Sequence, residues 1–428
     1  MPPGTVLAPG GFVTFYETNF GVGPTAFHFA SDGDQAFVFS GDGANLSGYW
    51  QGFEFGASPN GVAFGRWINS AGGGHFVAAS ARTESAANAY PLVGAVVVSE
   101  IMYHPPDRAD IRFTGTDNAA DEFVELHNTA STNVGLFHPA AATNTWRLRG
   151  DTDFDFPGGV TLAPDERVLV VGFDVTDPGL LAMFRMIWNV PPTTRVFGPW
   201  QKKLANNQGA VALQRPDFPN SNGVPYILIE RVDYDDDAPW PAAADGLGLS
   251  LHRCSETGYA NDATNWVAAP PTAGTAKPSG VAPVFTLQPV SQVVTAGVTF
   301  TLTAAATGDA PLTWRWRWNG TPLPSCTNSS LVLPAVGLAE AGVYEAIVFN
   351  AAGSALSAPA TLTVLTPATI LVPPVNANII TGSNGTLSVL ALGTPPFSYQ
   401  WRKESNALAG ATSTNLLFNN AQLADAGN

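Results

Sequence analysis

Hydrophobic and polar residues alternate with a period of two over most of the chain. "VTFTLTAAA", "LTWRWRW", "SSLVLPAV" and "GVYEAIVFN" each put apolar side chains on one face, and turns separate them every eight to twelve residues. In "DEFVELHN", Phe123, Glu125 and His127 share one face while Val124, Leu126 and Asn128 share the other. The pattern therefore predicts short β-strands, and "VVVSEIMYHPP" and "TWRLRGDTDFDFPGGVTLAPDERVLVV" extend it upstream. One stretch breaks the period. "DPGLLAMFRMIWN" predicts a helix with Asp177 as N-cap, Pro178 in its first turn and an apolar stripe of Leu180, Leu181, Phe184, Ile187 and Trp188. Such a stripe reads as packing surface against a sheet, not as a cofactor box.

Two repeat types organise these elements. In the first, "VLAPGGFVTF" at residues 6 to 15 matches "TLAPDERVLVV" at 161 to 171, each read as a turn leading into an apolar strand. The match continues through "ASDGDQAFVFS" with "ANNQGAVALQR", "NGVAFGRW" with "DGLGLSLHR", and "HFVAAS" with "NWVAAP". Residues 1–90 thus read as the back half of a unit that residues 91–280 contain whole. The second type pairs "GDAPLTWRWRWNGTPLP" with "GTPPFSYQWRKESNALA", and "GLAEAGVY" with "QLADAGN". Pro- and Gly-rich runs at 269–283 and 365–374 interrupt any strand ladder, so domains are expected at 1–90, 91–280, 281–366 and 367–428. The last repeat lacks the Tyr and the strands that follow the same Ala-Gly in its predecessor. An unpaired edge of that kind is a liability, so the chain reads as a fragment of a longer protein.

Composition agrees with several β-rich domains in 428 residues: 43 Gly, 35 Pro and 11% aromatic residues. The formal charge of −15 argues against nucleic acid or an anionic membrane surface as partner. Acid is concentrated in residues 91–280, which hold 23 of the 34 acidic residues against 13 basic ones. Cys254 and Cys326 fall in different expected domains, which excludes a disulfide framework and a cysteine-based metal site. There is no signal-peptide pattern at the start, and no apolar run approaches the length of a transmembrane helix.

Particular residues carry two resemblances. Trp316 in "LTWRWRW" and Tyr344 in "EAGVYEAIV" make residues 283–365 resemble bacterial immunoglobulin-like domains, whose fold implies a buried core Trp and a tyrosine corner. Ala304 and Ala346 stand where an antibody-type domain keeps its paired cysteines, so packing around Trp316, Leu302 and Ile347 is expected to replace that bond. The final unit repeats the plan, with Val389 and Trp401 at the first cysteine and the Trp positions. "SEIMY", "DEFVELHN", "WRL", "FPGGVTLAP" and "DGLGLSLHR" followed by "ATNWVAA", in that order, make residues 95–277 resemble the lamin tail domain. The expected architecture is all-β: tandem immunoglobulin-like β-sandwiches, with one short helix in the complete lamin-tail-like domain.

Candidate chemistry is sparse. Glu100 and Glu125 form a carboxylate pair of the type glycosidases use, but the resemblance places both in the fold signature, which implies a structural role. His104, His127 and His138 lie in no H-E-x-x-H, and neither a G-x-S-x-G elbow nor a phosphate-binding glycine loop occurs. Asp151, Asp153 and Asp155 have the alternate spacing that begins a calcium loop, yet Phe156 replaces its glycine and no glutamate closes it. Four carboxylates at a strand end, Asp233, Asp235, Asp236 and Asp237, repel one another; a bound calcium ion relieves them, and so does a solvated loop. The corresponding "FEFGASPNG" of the first copy has a single acid, so the fold does not require the charge. Sequons at Asn45, Asn319, Asn328 and Asn384 fit surface loops. Trp50 and Trp240 are candidates either for stacking on sugar rings or for local packing.

The expected function is non-catalytic: a secreted or cell-surface scaffold, adhesion or recognition protein whose partner is an extracellular protein or polysaccharide. Two alternatives stand beside it. These sandwiches are accessories of a secreted enzyme whose catalytic module lies outside the chain, or they form an adhesin stiffened by calcium.

Overall fold

The computed structural model describes residues 6–20, 28–41, 45–106, 117–221, 223–323 and 325–428. The fold is mostly β, with one α-helix among the described residues. It divides into two compact units, one of residues 1–283 with 308–312 and 348–356, the other of residues 284–307, 313–347 and 357–428.

The first unit is built on a six-stranded sheet in the order Arg195–Phe197, Arg167–Val171, Phe123–Asn128, Val96–Met102, Ser250–Arg253, Trp266–Ala269. A five-stranded sheet accompanies it in the order Gln201–Lys202, Thr152–Asp155, Arg147–Gly150, Gly209–Pro216, Tyr226–Tyr234. Both central strands of the larger sheet are buried along their whole length, so its two faces are both covered. Leu126 and Val124 face away from the helix, whereas Phe123, Met102, Leu169 and Val171 pack against it. A buried ion pair bridges the two sheets, with Arg253 Nη1 2.8 Å from Glu230 Oε2 and 3.1 Å from the Val98 carbonyl.

The helix forms where the sequence places it, at Pro178–Trp188. Asp177 accepts hydrogen bonds from the backbone N–H of Gly179 and Leu180 at 2.8 and 3.1 Å, and Asn189 closes the other end in the left-handed conformation. It links the parallel pair Arg167–Val171 and Arg195–Phe197 and lies on the face of the sheet. There the Phe184 ring meets Phe123 edge-on at 6.1 Å, and Trp188 Nε1 donates to the Asp121 carbonyl at 2.9 Å.

Residues 28–90 contain two antiparallel ribbons, Gly33–Gly41 with Leu46–Gly56 and Phe64–Ile68 with Gly74–Ala78. The same ribbons recur as Gly209–Pro216 with Tyr226–Tyr234 and as Ser250–Arg253 with Trp266–Ala269, in the order that the repeats indicate. In the later copy further strands flank them, and Val211 and Leu213 are wholly buried; Phe37, Val38 and Phe39 of the earlier copy are exposed. One expected strand does not form. Residues 11–16 follow a turn closed by Gly11 N–H to the Ala8 carbonyl and run without pairing into the 3₁₀ turn Glu17–Phe20. The matching Arg167–Val171 lies between two neighbours, but no described strand runs beside 11–16, and an extended segment without a neighbour leaves its backbone groups unpaired.

In the second unit, Gln292–Thr295, Ala360–Leu365, Gly342–Asn350, Thr313–Trp318 and Thr321–Leu323 lie side by side in one sheet, opposite the pair Phe300–Thr303 and Ser330–Leu333. Trp316 is fully buried among Phe300, Leu302, Leu331, Val336 and Leu362, and its Nε1 donates to the Asn328 carbonyl at 2.9 Å. The Tyr344 hydroxyl donates to the Glu340 carbonyl at 2.6 Å and closes the tyrosine corner. Ala304 and Ala346 are buried in this core, and Cys254 and Cys326 both carry unpaired thiols. Ile347 is buried but stands outside the Trp316 cluster, because the strand alternation that turns Tyr344 and Ala346 inward turns it the other way.

Residues 367–428 repeat the wiring. Thr369–Val372 pairs with Leu390–Leu392, and Gly385–Ser388 with Asn415–Phe418, as Val284–Leu287 pairs with Ala305–Thr307 and Phe300–Thr303 with Ser330–Leu333. Trp401 Nε1 donates to the Ser413 carbonyl at 2.9 Å, the same bond over the same spacing as in Trp316. Trp401 and Val389 are only half-buried.

Candidate functional site

Three of the four strand-end aspartates come together. The Tyr226–Tyr234 strand ends just before Asp235, and the carboxylates of Asp235, Asp236 and Asp237 each bring an oxygen within 4.8 Å of the others. Asp235 accepts from Gln208 Nε2 at 3.3 Å and from the Asp237 N–H at 3.0 Å. Burial, then the neighbouring Asp245 charge, holds the Asp236 carboxyl above its ordinary range. Asp233 does not join the group: Arg231 Nε occupies one of its oxygens at 2.7 Å and Asn261 Nδ2 the other at 2.7 Å. Asp151, Asp153 and Asp155 are likewise engaged elsewhere. Asp151 accepts from the Ala210 N–H and the Tyr234 hydroxyl, both at 3.2 Å, Asp153 pairs with Lys202 at 2.9 Å and Asp155 with Arg149 at 2.6 Å.

Glu100 and Glu125 sit opposite one another on adjacent strands and are 1% and 2% exposed. Glu100 accepts from the Ser250 and Thr272 hydroxyls and the Thr272 N–H; Glu125 accepts from Ser99 Oγ at 2.6 Å and the Gly274 N–H at 2.7 Å. Burial holds both carboxyls well above the usual carboxylate range, and the Glu100 charge adds to the effect on Glu125. Arg167 Nε lies 3.3 Å from Glu125, whereas the buried His252, pushed down to about 3, stays neutral beside Glu100. These carboxyls fasten the 272–274 segment over the sheet, out of reach of a substrate. The histidines are also occupied: His104 bonds to Asp245, His127 to Asp165 and Glu256, and the His138 ring lies edge-on to Phe218 at 4.5 Å.

Three features escaped the sequence reading. A cavity of about 320 Å³ is lined by Phe55, Phe64, Phe76, Ile229, Arg231 and Tyr259. An aromatic surface of Phe37, Phe39 and Trp50, 40%, 49% and 57% exposed, crosses the first ribbon, with ring centroids 6.2 Å apart for Phe37–Phe39 and 5.8 Å for Phe37–Trp50. Gly52 stands opposite Phe37, whose ring fills the place a side chain there would need. Trp240, by contrast, is half-buried and packs 6.2 Å from Trp266. The third feature is a set of buried oxygens contributed by Asp117, Asn118, Glu122, Thr152 and Asn206. Its members are spread over ninety residues, so no sequence spacing announces them.

A sandwich with a buried, carbonyl-bound Trp between its sheets and a tyrosine corner on the facing strand is of the immunoglobulin type. The comparisons agree: a family model described as an immunoglobulin domain matches residues 282–364. Human Protein sidekick-1 is 32% identical over 152 residues, covering 32% of this chain and 7% of that protein. Human Leucine-rich repeats and immunoglobulin-like domains protein 3 is 33% identical over 137 residues, covering 29% of this chain and 12% of that protein. The chain therefore spans a small part of the length of these relatives. Among solved structures, an I-band fragment of titin matches at 21% identity and a TM-score of 0.30, covering 34% of this chain and 58% of that one. A titin immunoglobulin domain in complex with obscurin-like 1 matches at 31% identity and a TM-score of 0.20, covering 21% and 98%. No helix among the described residues is long and apolar enough to cross a membrane.

Proposed function

We propose that the chain is a non-catalytic stretch of a secreted or cell-surface multidomain protein of bacterial type, in which tandem β-sandwiches present faces and loops to an extracellular protein or polysaccharide. Residues 1–90 and 91–280 are the partial and complete lamin-tail-like units of that array, and residues 281–366 and 367–428 are its immunoglobulin-like units. The observation that carries the reading is the repetition itself. The same ribbons occur twice in the first unit and the same Trp-to-carbonyl pin twice in the second, as expected of modules added for reach and display. The carboxylates that suggested catalysis are closed off or ion-paired, which removes the residues an enzymatic reading of these domains would use.

The surface best suited to a partner is the exposed aromatic one on the first ribbon, since rings of this size stack on sugar faces or on apolar protein anchors. The test is binding of the immobilised full chain to a panel of polysaccharides and extracellular-matrix proteins, compared with Trp50→Ala and Phe39→Ala variants. Saturable binding that falls at least tenfold in those variants is expected; absence of binding across the panel, or binding indifferent to both substitutions, would contradict this use of the surface.

A further inference from the structure

Among the described residues, seven buried side-chain nitrogen or oxygen atoms have no hydrogen-bond partner. Five are oxygens from one region of the first unit: Asp117 Oδ1, Asn118 Oδ1, Glu122 Oε1, Thr152 Oγ1 and Asn206 Oδ1. Asn118, Glu122 and Thr152 expose none of their surface. Their own partners bring them to one place. Lys203 Nζ bonds to the other oxygen of Asp117, and the Leu204 N–H donates to the other oxygen of Glu122 at 2.9 Å, so the 117–122 turn lies against the 203–206 turn. Thr152 is the strand partner of Lys202, and the Ala205 N–H reaches Asp151 at 3.4 Å, which puts the 151–152 corner against the same turn. Asn118 Nδ2 donates to the Pro106 carbonyl, which leaves the amide oxygen as its unpaired end.

A buried acceptor left unpaired costs about 1–3 kcal/mol, and more when it belongs to a carboxylate, so five gathered together point to a ligand that satisfies them jointly. The set contains two carboxylate oxygens, two amide carbonyls and a hydroxyl, with no nitrogen or sulfur. That is the donor chemistry of a hard divalent cation, and calcium takes about 6 to 8 oxygens in an adaptable geometry where magnesium demands a strict octahedron. Lys203 does not take that place, because its ammonium is held on the outer oxygen of Asp117 with its side chain 56% exposed.

We propose that Asp117, Asn118, Glu122, Thr152 and Asn206 form a buried calcium site that ties the 117–122 turn to the 202–206 turn and the strand beside it. The site is separate from the Asp235–Asp237 group, whose carboxylates are partly exposed and bonded within their own loop.

The test is calcium titration of the chelator-stripped full chain, followed by calorimetry and by the unfolding temperature of the first unit. Expected are one saturable site with half-saturation in about the 0.1–1 mM range of extracellular calcium modules, a calcium-dependent rise in that temperature, and at least a tenfold loss of affinity in Glu122→Gln. This substitution keeps the size of the side chain and the acceptor for Leu204. Asn206→Ala, nearer the surface, is the second variant and should also weaken binding, whereas Asn replacement of Asp235, Asp236 and Asp237 together should leave it unchanged. No calcium effect on the unaltered chain, which would mean that water satisfies these oxygens, overturns the proposal. So does an effect that survives both site variants, or one that disappears only in the triple variant.

Discussion

Trp316 and Tyr344 show how single side chains substitute for a covalent staple. A native disulfide contributes about 2–5 kcal/mol to a small domain; here two buried alanines occupy its positions, and two polar tips bonded to carbonyls fix the core around them. The bond from the Tyr344 hydroxyl to Glu340 is expected to contribute about 1 kcal/mol. Tyr344→Phe should therefore lower the denaturation midpoint of the immunoglobulin unit by about that equivalent while leaving its cooperativity intact; an unchanged midpoint would show that the corner is ornamental. Both residues were legible in the sequence because their roles depend on fixed positions within strands. Ile347 was misplaced beside Trp316 for the same kind of reason: one step along a strand reverses the face, and hydrophobicity alone does not say which of two buried faces a residue joins.

At the level of elements, the strands and the helix were legible from period and capping, but the environment of the polar positions was not. Glu100, Glu125 and His127 alternate as a wet face would, yet that face is covered by the 272–274 segment and ringed by Arg167 and Glu256. Covering it is what raises the two glutamates, and the sign of the consequence follows from linkage. A carboxyl raised in the folded state contributes stability that is complete below its unfolded value, near pH 4.3, and is lost as pH rises through the folded value. His252, lowered by burial, acts only on the acid side of about pH 6.5. Between pH 6.5 and 9 the first unit should consequently lose stability on the order of 2 kcal/mol, since each raised unit is about 1.4 kcal/mol, seen as a falling unfolding temperature. A Glu100→Gln, Glu125→Gln double variant should flatten that slope. A slope as steep in the variant as in the unaltered chain would assign the pH dependence elsewhere. The unformed strand at 11–16 marks the opposite limit, because a strand's existence depends on a neighbour that its own residues do not specify.

On the scale of the molecule, the repeats were the most informative part of the sequence, since self-similarity at a distance predicts that the same ribbons and the same Trp pin recur, as they do. Long-range convergence was the least. Asp117, Thr152 and Asn206 meet only because three separate segments cross, whereas Asp235, Asp236 and Asp237 drew notice because they are adjacent. The central claim is that the chain is an array of separate sandwich modules joined by exposed linkers. Residues 278–281 and 367–378 are exposed without a break, as linkers should be. Limited proteolysis of the full chain with a broad-specificity protease, read by mass spectrometry, tests this most directly. The earliest cuts are expected within 269–283 and 365–378, releasing a resistant fragment that retains 91 to about 270 and another that retains about 284 to 364. First cuts inside the strands of either interval, or equal protection of linkers and strands, would contradict the modular account.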